Sequence, residues 1–152
     1  MKHLFTPSKL IAGLCIFFLL CFSSKTYATH YMGGDINAVC LGNNQYKVSL
    51  TLFYDCNGIT GGTNQTVNLV SPTLGTQNAS LNLEAGYPLD VTNICPSATT
   101  SCNGGGGTYG VQKYVFSGVV TIAAASDWVI SYSICCRNNV VTNITNPNAS
   151  AY

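Results

Sequence analysis

Six cysteines beyond residue 28 are the side chains best equipped for chemistry: Cys40, Cys56, Cys95, Cys102, Cys135 and Cys136. Thiols support redox exchange, zinc binding or disulfide stapling. Redox exchange commonly uses C-x-x-C, a spacing this chain lacks. Structural zinc wants short Cys or Cys/His pairs, and beyond residue 28 the one histidine is His30. Cys135 and Cys136 close an alternating run. On a strand, neighbouring side chains point to opposite faces, so these two do not form a compact ligand pair. An even set of cysteines in an exported chain reads as up to three disulfides. Sequence leaves the pairing open. The preferred arrangement is Cys95–Cys102 as a local bridge, with Cys40 and Cys56 joined to Cys135 and Cys136 in either order.

Other chemistries find weaker support. Asp55, Asn57 and Asp90 carry oxygens suited to calcium, but no D-x-D-x-D-G loop sets their geometry, and Asx turns account for them. No other cofactor is suggested. Gly104–Gly107 lacks the Lys-Ser/Thr that completes a phosphate loop. There is no G-x-S-x-G, and the acidic residues are too dispersed to form a hydrolytic pair. The chain is therefore not expected to be an enzyme. Arg137, Asn138 and Asn139 follow the final cysteine pair. They are suited to contacting a partner or clamping a loop, with Asp55 a candidate ion-pair partner for Arg137.

The elements that must position these residues come after a leader. Leu10–Phe22 is a 13-residue apolar run behind Lys2 and Lys9. A membrane span needs about 20 residues, so the layout reads as a secretory signal peptide over 1–28, with Ala28 before the cut. Residues 29–152 then form one domain of 124 residues, without a further apolar stretch of spanning length. In this part Lys47, Lys113 and Arg137 stand against Asp35, Asp55, Glu84, Asp90 and Asp127. A nucleic-acid surface needs clustered basic residues and is not expected.

Period-two alternation dominates this domain. Tyr46, Val48, Leu50, Leu52 and Tyr54 share one face, and Lys47, Ser49 and Thr51 the other, which Phe53 interrupts. LGNNQ, residues 41–45, predicts a turn between this strand and a short run over Ile36–Cys40. Further strands are predicted at Gln65–Val70, Ala79–Leu83, Tyr109–Ala123 and Asp127–Cys136. In the last, Trp128, Ile130, Tyr132, Ile134 and Cys136 share a face. Val140–Ile144 reads as another edge strand. The expected fold is all-β: a disulfide-stapled antiparallel β-sandwich of immunoglobulin-like type, with a small β-barrel as the alternative.

Two motifs add a resemblance. The first is THYMGGDINAVCLGNNQYKVSLTLFYDCNG, whose marks are His30, Gly33, Gly34, Asp35 and Ile36; Cys40, Leu41, Gly42, Asn44 and Tyr46; and Tyr54, Asp55, Cys56, Asn57 and Gly58. The second is SYSICCRNN, with Ser131, Tyr132, Cys135, Cys136, Arg137, Asn138 and Asn139. Both resemble the amino-terminal module of large secreted or surface proteins of Bacteroidetes. In those proteins immunoglobulin-like or PKD-like repeats and a gliding-motility-associated sorting domain often follow. The resemblance implies a secreted or cell-surface place, further domains of a longer chain as partners, and a carboxyl end here that is truncated. It assigns no catalytic residue. The expected function is a non-enzymatic, adhesin-like module that contacts an extracellular protein or glycan. A carbohydrate-binding module is the alternative, and a small secreted enzyme the third reading.

Overall fold

The computed structural model describes residues 31–58, 60–95, 97–104 and 109–135. Among them run seven strands: β1 (Tyr31–Gly42), β2 (Gln45–Asp55), β3 (Asn64–Ser71), β4 (Gly75–Leu83), β5 (Leu89–Asp90), β6 (Val111–Thr121) and β7 (Val129–Ser131). A short 3-10 turn covers Ser101–Asn103. Every pairing is antiparallel. The fold is all-β.

Local chemistry explains the hairpins. Asn43 and Asn44 both hold positive φ, 50° and 60°, between the paired residues Gly42 and Gln45. That is the two-residue turn whose twist matches the flanking strands, and Asn tolerates it better than most residues. The β3–β4 hairpin turns through Pro72–Leu74 into Gly75, whose φ is 93°. Asp127 braces this turn. It accepts from the Ser71 hydroxyl at 2.7 Å, the Thr73 amide at 3.1 Å and the Thr73 hydroxyl.

The alternation predicted for β2 and β6 decides the interior. Val48, Leu50, Leu52 and Tyr54 are buried, as are Tyr114, Phe116, Val120 and Ile122 from β6 and its exit. Val67 and Leu69 of β3 and Ala79 and Leu81 of β4 fill the opposite wall. Tyr31, Tyr54 and Tyr114 meet edge to face at 5.5 and 5.1 Å, the arrangement that aromatic quadrupoles favour.

The two-sheet sandwich is not what these strands build. They form one sheet, in the order β1-β2-β6-β4-β3-β7, with β5 paired to β6. The sheet bends sharply at β6. There β4 pairs only through Asn82–Ser117 and Leu83–Phe116. At Gly118 an added Cβ would stand 3.1 Å from Leu81 Cδ2 and from the Ser80 carbonyl oxygen, so glycine permits the close approach. Rolled about this corner, the end strands β1 and β7 return to face each other, and the result is a nearly closed small barrel. Strand β7 is also shorter than Asp127–Cys136, yet the alternation runs on past it. Trp128, Ile130, Tyr132 and Ile134 are half-buried against the core, while Val129, Ser131, Ser133 and Cys135 are exposed. The expected strand at Val140–Ile144 lies outside the described residues, as does Cys136.

The disulfides correct the preferred pairing. Cys56 bonds to Cys102, 46 residues away, with Cα atoms 4.9 Å apart. Cys135 is also disulfide-bonded. Cys40 and Cys95 are exposed free thiols. Strand length gives the reason. Cys40 lies opposite Tyr46, and Cys56 comes ten residues after Tyr46, about 33 Å along an extended chain. Cys40 and Cys56 cannot both reach adjacent thiols. Cys102 is instead delivered to Cys56 by hydrogen bonds. The Cys56 amide donates to the Gly110 carbonyl at 3.0 Å, and the Gly110 amide donates to the Ser101 hydroxyl at 2.9 Å.

Candidate functional site

The seam between β1 and β7 is the opening in this barrel. On β2, Val48, Leu50 and Leu52 are at most 1% exposed, but their partners on the same face of β1 are Ala38, Ile36 and Gly34. Ala38 and Gly34 are exposed and Ile36 is half-buried. The inward face of β1 is thus poorly covered where that of β2 is sealed. Two clefts occupy this seam. The larger, about 430 Å³, is lined by Tyr31, Gly33, Gly34, Asp35, Ile36, Leu50 and Tyr132. The smaller, about 240 Å³, has Tyr46 and Trp128 among its walls, with Ala38, Ile122 and Ile130. Ile36 in one and Ala38 in the other are alternate residues of the same strand, so the clefts lie in line along β1.

Each aromatic wall is held from behind. The Trp128 indole N–H donates to the Ala123 carbonyl at 2.9 Å, which fixes the ring beside the smaller cleft. Tyr132 donates to Gln65 Oε1 at 2.9 Å and accepts from the Tyr54 hydroxyl. Gln65 in turn donates to the Gly61 carbonyl at 2.6 Å. Burial raises the Tyr54 and Tyr132 hydroxyls above the ordinary phenol range. Both therefore stay neutral donors and acceptors at any physiological pH. The backbone at Gly34 is held just as closely. A Cβ there would collide with the Thr51 carbonyl oxygen and fall 2.6 Å from the Tyr31 hydroxyl.

This seam offers half-exposed rings, phenol hydroxyls and exposed strand backbone. Such a set binds by stacking and hydrogen bonding. The larger cleft falls in the range of about 300–1,000 Å³ usual for small-ligand sites.

The residues that the sequence offers as calcium ligands lie elsewhere. Asp55 is buried at 3% exposure and its Oδ1 accepts from the Asn57 amide at 2.9 Å, an Asx turn. Asp90 accepts from the Thr92 amide and hydroxyl, from Thr100 and from Asn103, at 2.6–3.2 Å. The Thr92 hydroxyl bond, first among these, holds the Asp90 carboxyl below its ordinary range. Asp55 and Asp90 sit on strands that flank β6, paired with Val111 and Gln112. Val111 and Gln112 are neighbours on one strand and take opposite faces, so Asp55 and Asp90 also face apart and do not share a cation. Among the described residues no three His, Cys, Asp or Glu side chains gather as a metal site. No helix there is long and apolar enough to cross a membrane. Arg137, Asn138 and Asn139 lie outside the described residues.

Sequence reasoning placed Tyr46, Trp128 and Tyr132 on apolar faces but did not mark them as a site. Periodicity tells which face a side chain takes. It does not tell that the strand opposite falls short.

Comparison with protein-family models, curated proteins and solved structures finds no match to this chain.

Proposed function

We propose that this chain is a non-enzymatic carbohydrate-binding module that takes a glycan along the β1–β7 seam. The observation that carries the reading is the smaller cleft, where Trp128 and Tyr46 both stand in the wall of an open groove. Sugar rings present C–H faces that pack on indole and phenol rings, and hydroxyls that pair with tyrosine hydroxyls and backbone groups. A broad flat platform of aromatics is absent from the described residues, since Tyr31, Tyr54, Tyr114 and Phe116 are buried. The groove takes that role. The resemblance to amino-terminal modules of Bacteroidetes surface proteins fits this reading: a secreted or surface head joined to further domains, contacting glycans outside the cell.

The adhesin-like contact with a protein is the second reading, and β1 favours it. Its 12 residues have one paired neighbour among the described strands and include neither Lys nor Pro. Natural edge strands often use those residues to discourage further pairing, and an undefended edge accepts an extended peptide.

Affinity electrophoresis through gels carrying neutral, amino and acidic polysaccharides separates the two. The carbohydrate reading expects retardation that Trp128→Ala abolishes while the fold is kept. Migration unaffected by every polysaccharide would contradict it and leave the protein contact.

A further inference from the structure

The same two chain segments wall both clefts, at matching intervals. Gly34 and Tyr132 line the larger cleft, and Ala38 and Trp128 the smaller. Gly34 to Ala38 on one wall and Trp128 to Tyr132 on the other are each a step of four residues. Extended chain covers about 13 Å in that step. Among the described strands β1 and β7 share no pairing, so no ladder bridges the seam from one cleft to the next. Of the lining residues Asp35 alone is charged, and its side chain is turned away. It alternates with the inward Gly34 and Ile36 and pairs with Thr51 on the outer face of the sheet. The surface that faces the seam is therefore uncharged.

Resting on the carbohydrate reading, we propose that the seam carries two sugar subsites in line and takes an uncharged glycan chain lengthwise along β1. An interval of about 13 Å is more than one sugar ring spans and suits roughly three linked rings. The smaller cleft stacks one ring on Trp128 and Tyr46. The larger cleft receives a later ring of the same chain against Ile36 and Tyr132. A chain held at one cleft presents its next rings to the other at high effective concentration, so affinity climbs once the chain reaches both. Charge on the sugar works against entry. A carboxylate, sulfate or ammonium would lose water in the seam and meet no opposite charge there. Neutral oligomers are thus the ligand class, and chain length is the selected property.

The test titrates the protein in full, by calorimetry, with cello- and malto-oligosaccharides from the disaccharide to the hexamer. Hexamers of galacturonate and of glucosamine are the charged counterparts. The expected result is a neutral hexamer at least about ten-fold tighter than its disaccharide, with the rise complete once both clefts are reached. Each charged hexamer should bind about ten-fold more weakly than the neutral one. Ile36→Asp places a charge in the larger cleft alone. It should bring the neutral hexamer down to the disaccharide's affinity and leave the disaccharide within about two-fold, with a urea melt confirming the fold. If the disaccharide binds as tightly as the hexamer, or a charged hexamer as tightly as the neutral one, this inference is wrong while carbohydrate binding stands. If no oligosaccharide binds, both this inference and the carbohydrate reading fall.

Discussion

The Tyr132 hydroxyl donates to Gln65 Oε1 at 2.9 Å, joining residues 67 positions apart. The same hydroxyl accepts from Tyr54. One phenol thus ties the run after β7 to β3 and to the end of β2, and fixes the wall of the larger cleft.

Tyr132→Phe removes the middle of that chain. Tyr54 and Gln65 each lose a partner in a partly buried setting. The expected loss is about 1–3 kcal/mol of stability, read from urea midpoints. Combined with Gln65→Ala, Tyr132→Phe should cost less than the sum of the two single substitutions, since the pair is in direct contact.

Thiol chemistry checks the disulfide assignment. Folded protein should react with a thiol reagent at Cys40 and Cys95, and peptide mapping should recover Cys56 joined to Cys102. Cys40→Ser and Cys95→Ser should leave stability within about 0.5 kcal/mol. Cys56→Ser should lower it by about 2–5 kcal/mol. Recovery of Cys95 joined to Cys102 would contradict the fold of the 89–110 loop.

Adjacent glycines give a sharp contrast. Gly34→Ala meets the Thr51 carbonyl and the Tyr31 hydroxyl, whereas Gly33→Ala meets open space. The first should destabilise by about 1–3 kcal/mol, as overpacking does, and the second by far less. Thermal melts of the two variants decide this.

Much of the fold was legible. The alternation of β2 named the core face residue by residue, and GNNQ marked its turn. Three features were hidden. The expected run began at Ile36, yet β1 starts at Tyr31 and passes through Gly33–Gly34, because glycine is what lets the strand approach Thr51 there. The choice between two sheets and one rests on the two residue pairs that join β4 to β6, a contact between segments far apart in sequence. Cysteine spacing likewise says nothing of which loop an Asp90–Thr92–Thr100 hydrogen-bond set brings beside Cys56. The candidate site was hidden for a related reason. Tyr46, Trp128 and Tyr132 look like core residues, and only the shortness of β7 leaves them half open.

Acid should loosen the β3–β4 turn. Hydrogen bonds from Thr73 and then Ser71 hold the Asp127 carboxyl below its ordinary range. A carboxyl depressed in the folded state adds stability above its unfolded value, near about 3.9, and that stability is lost as pH falls through the lower folded value. Melting temperature should therefore drop below about pH 4, and Asp127→Asn should flatten that slope. An unchanged slope would show that the turn is held by other bonds.

Trp128 is the one tryptophan in the chain, so its fluorescence reports on the smaller cleft without any label. Titration with a neutral oligosaccharide, followed at the indole emission, is the most direct measurement of the central claim. A saturable blue shift that Tyr46→Ala weakens is the predicted result. An emission that stays constant while calorimetry records binding would place the ligand elsewhere and contradict the seam as the site.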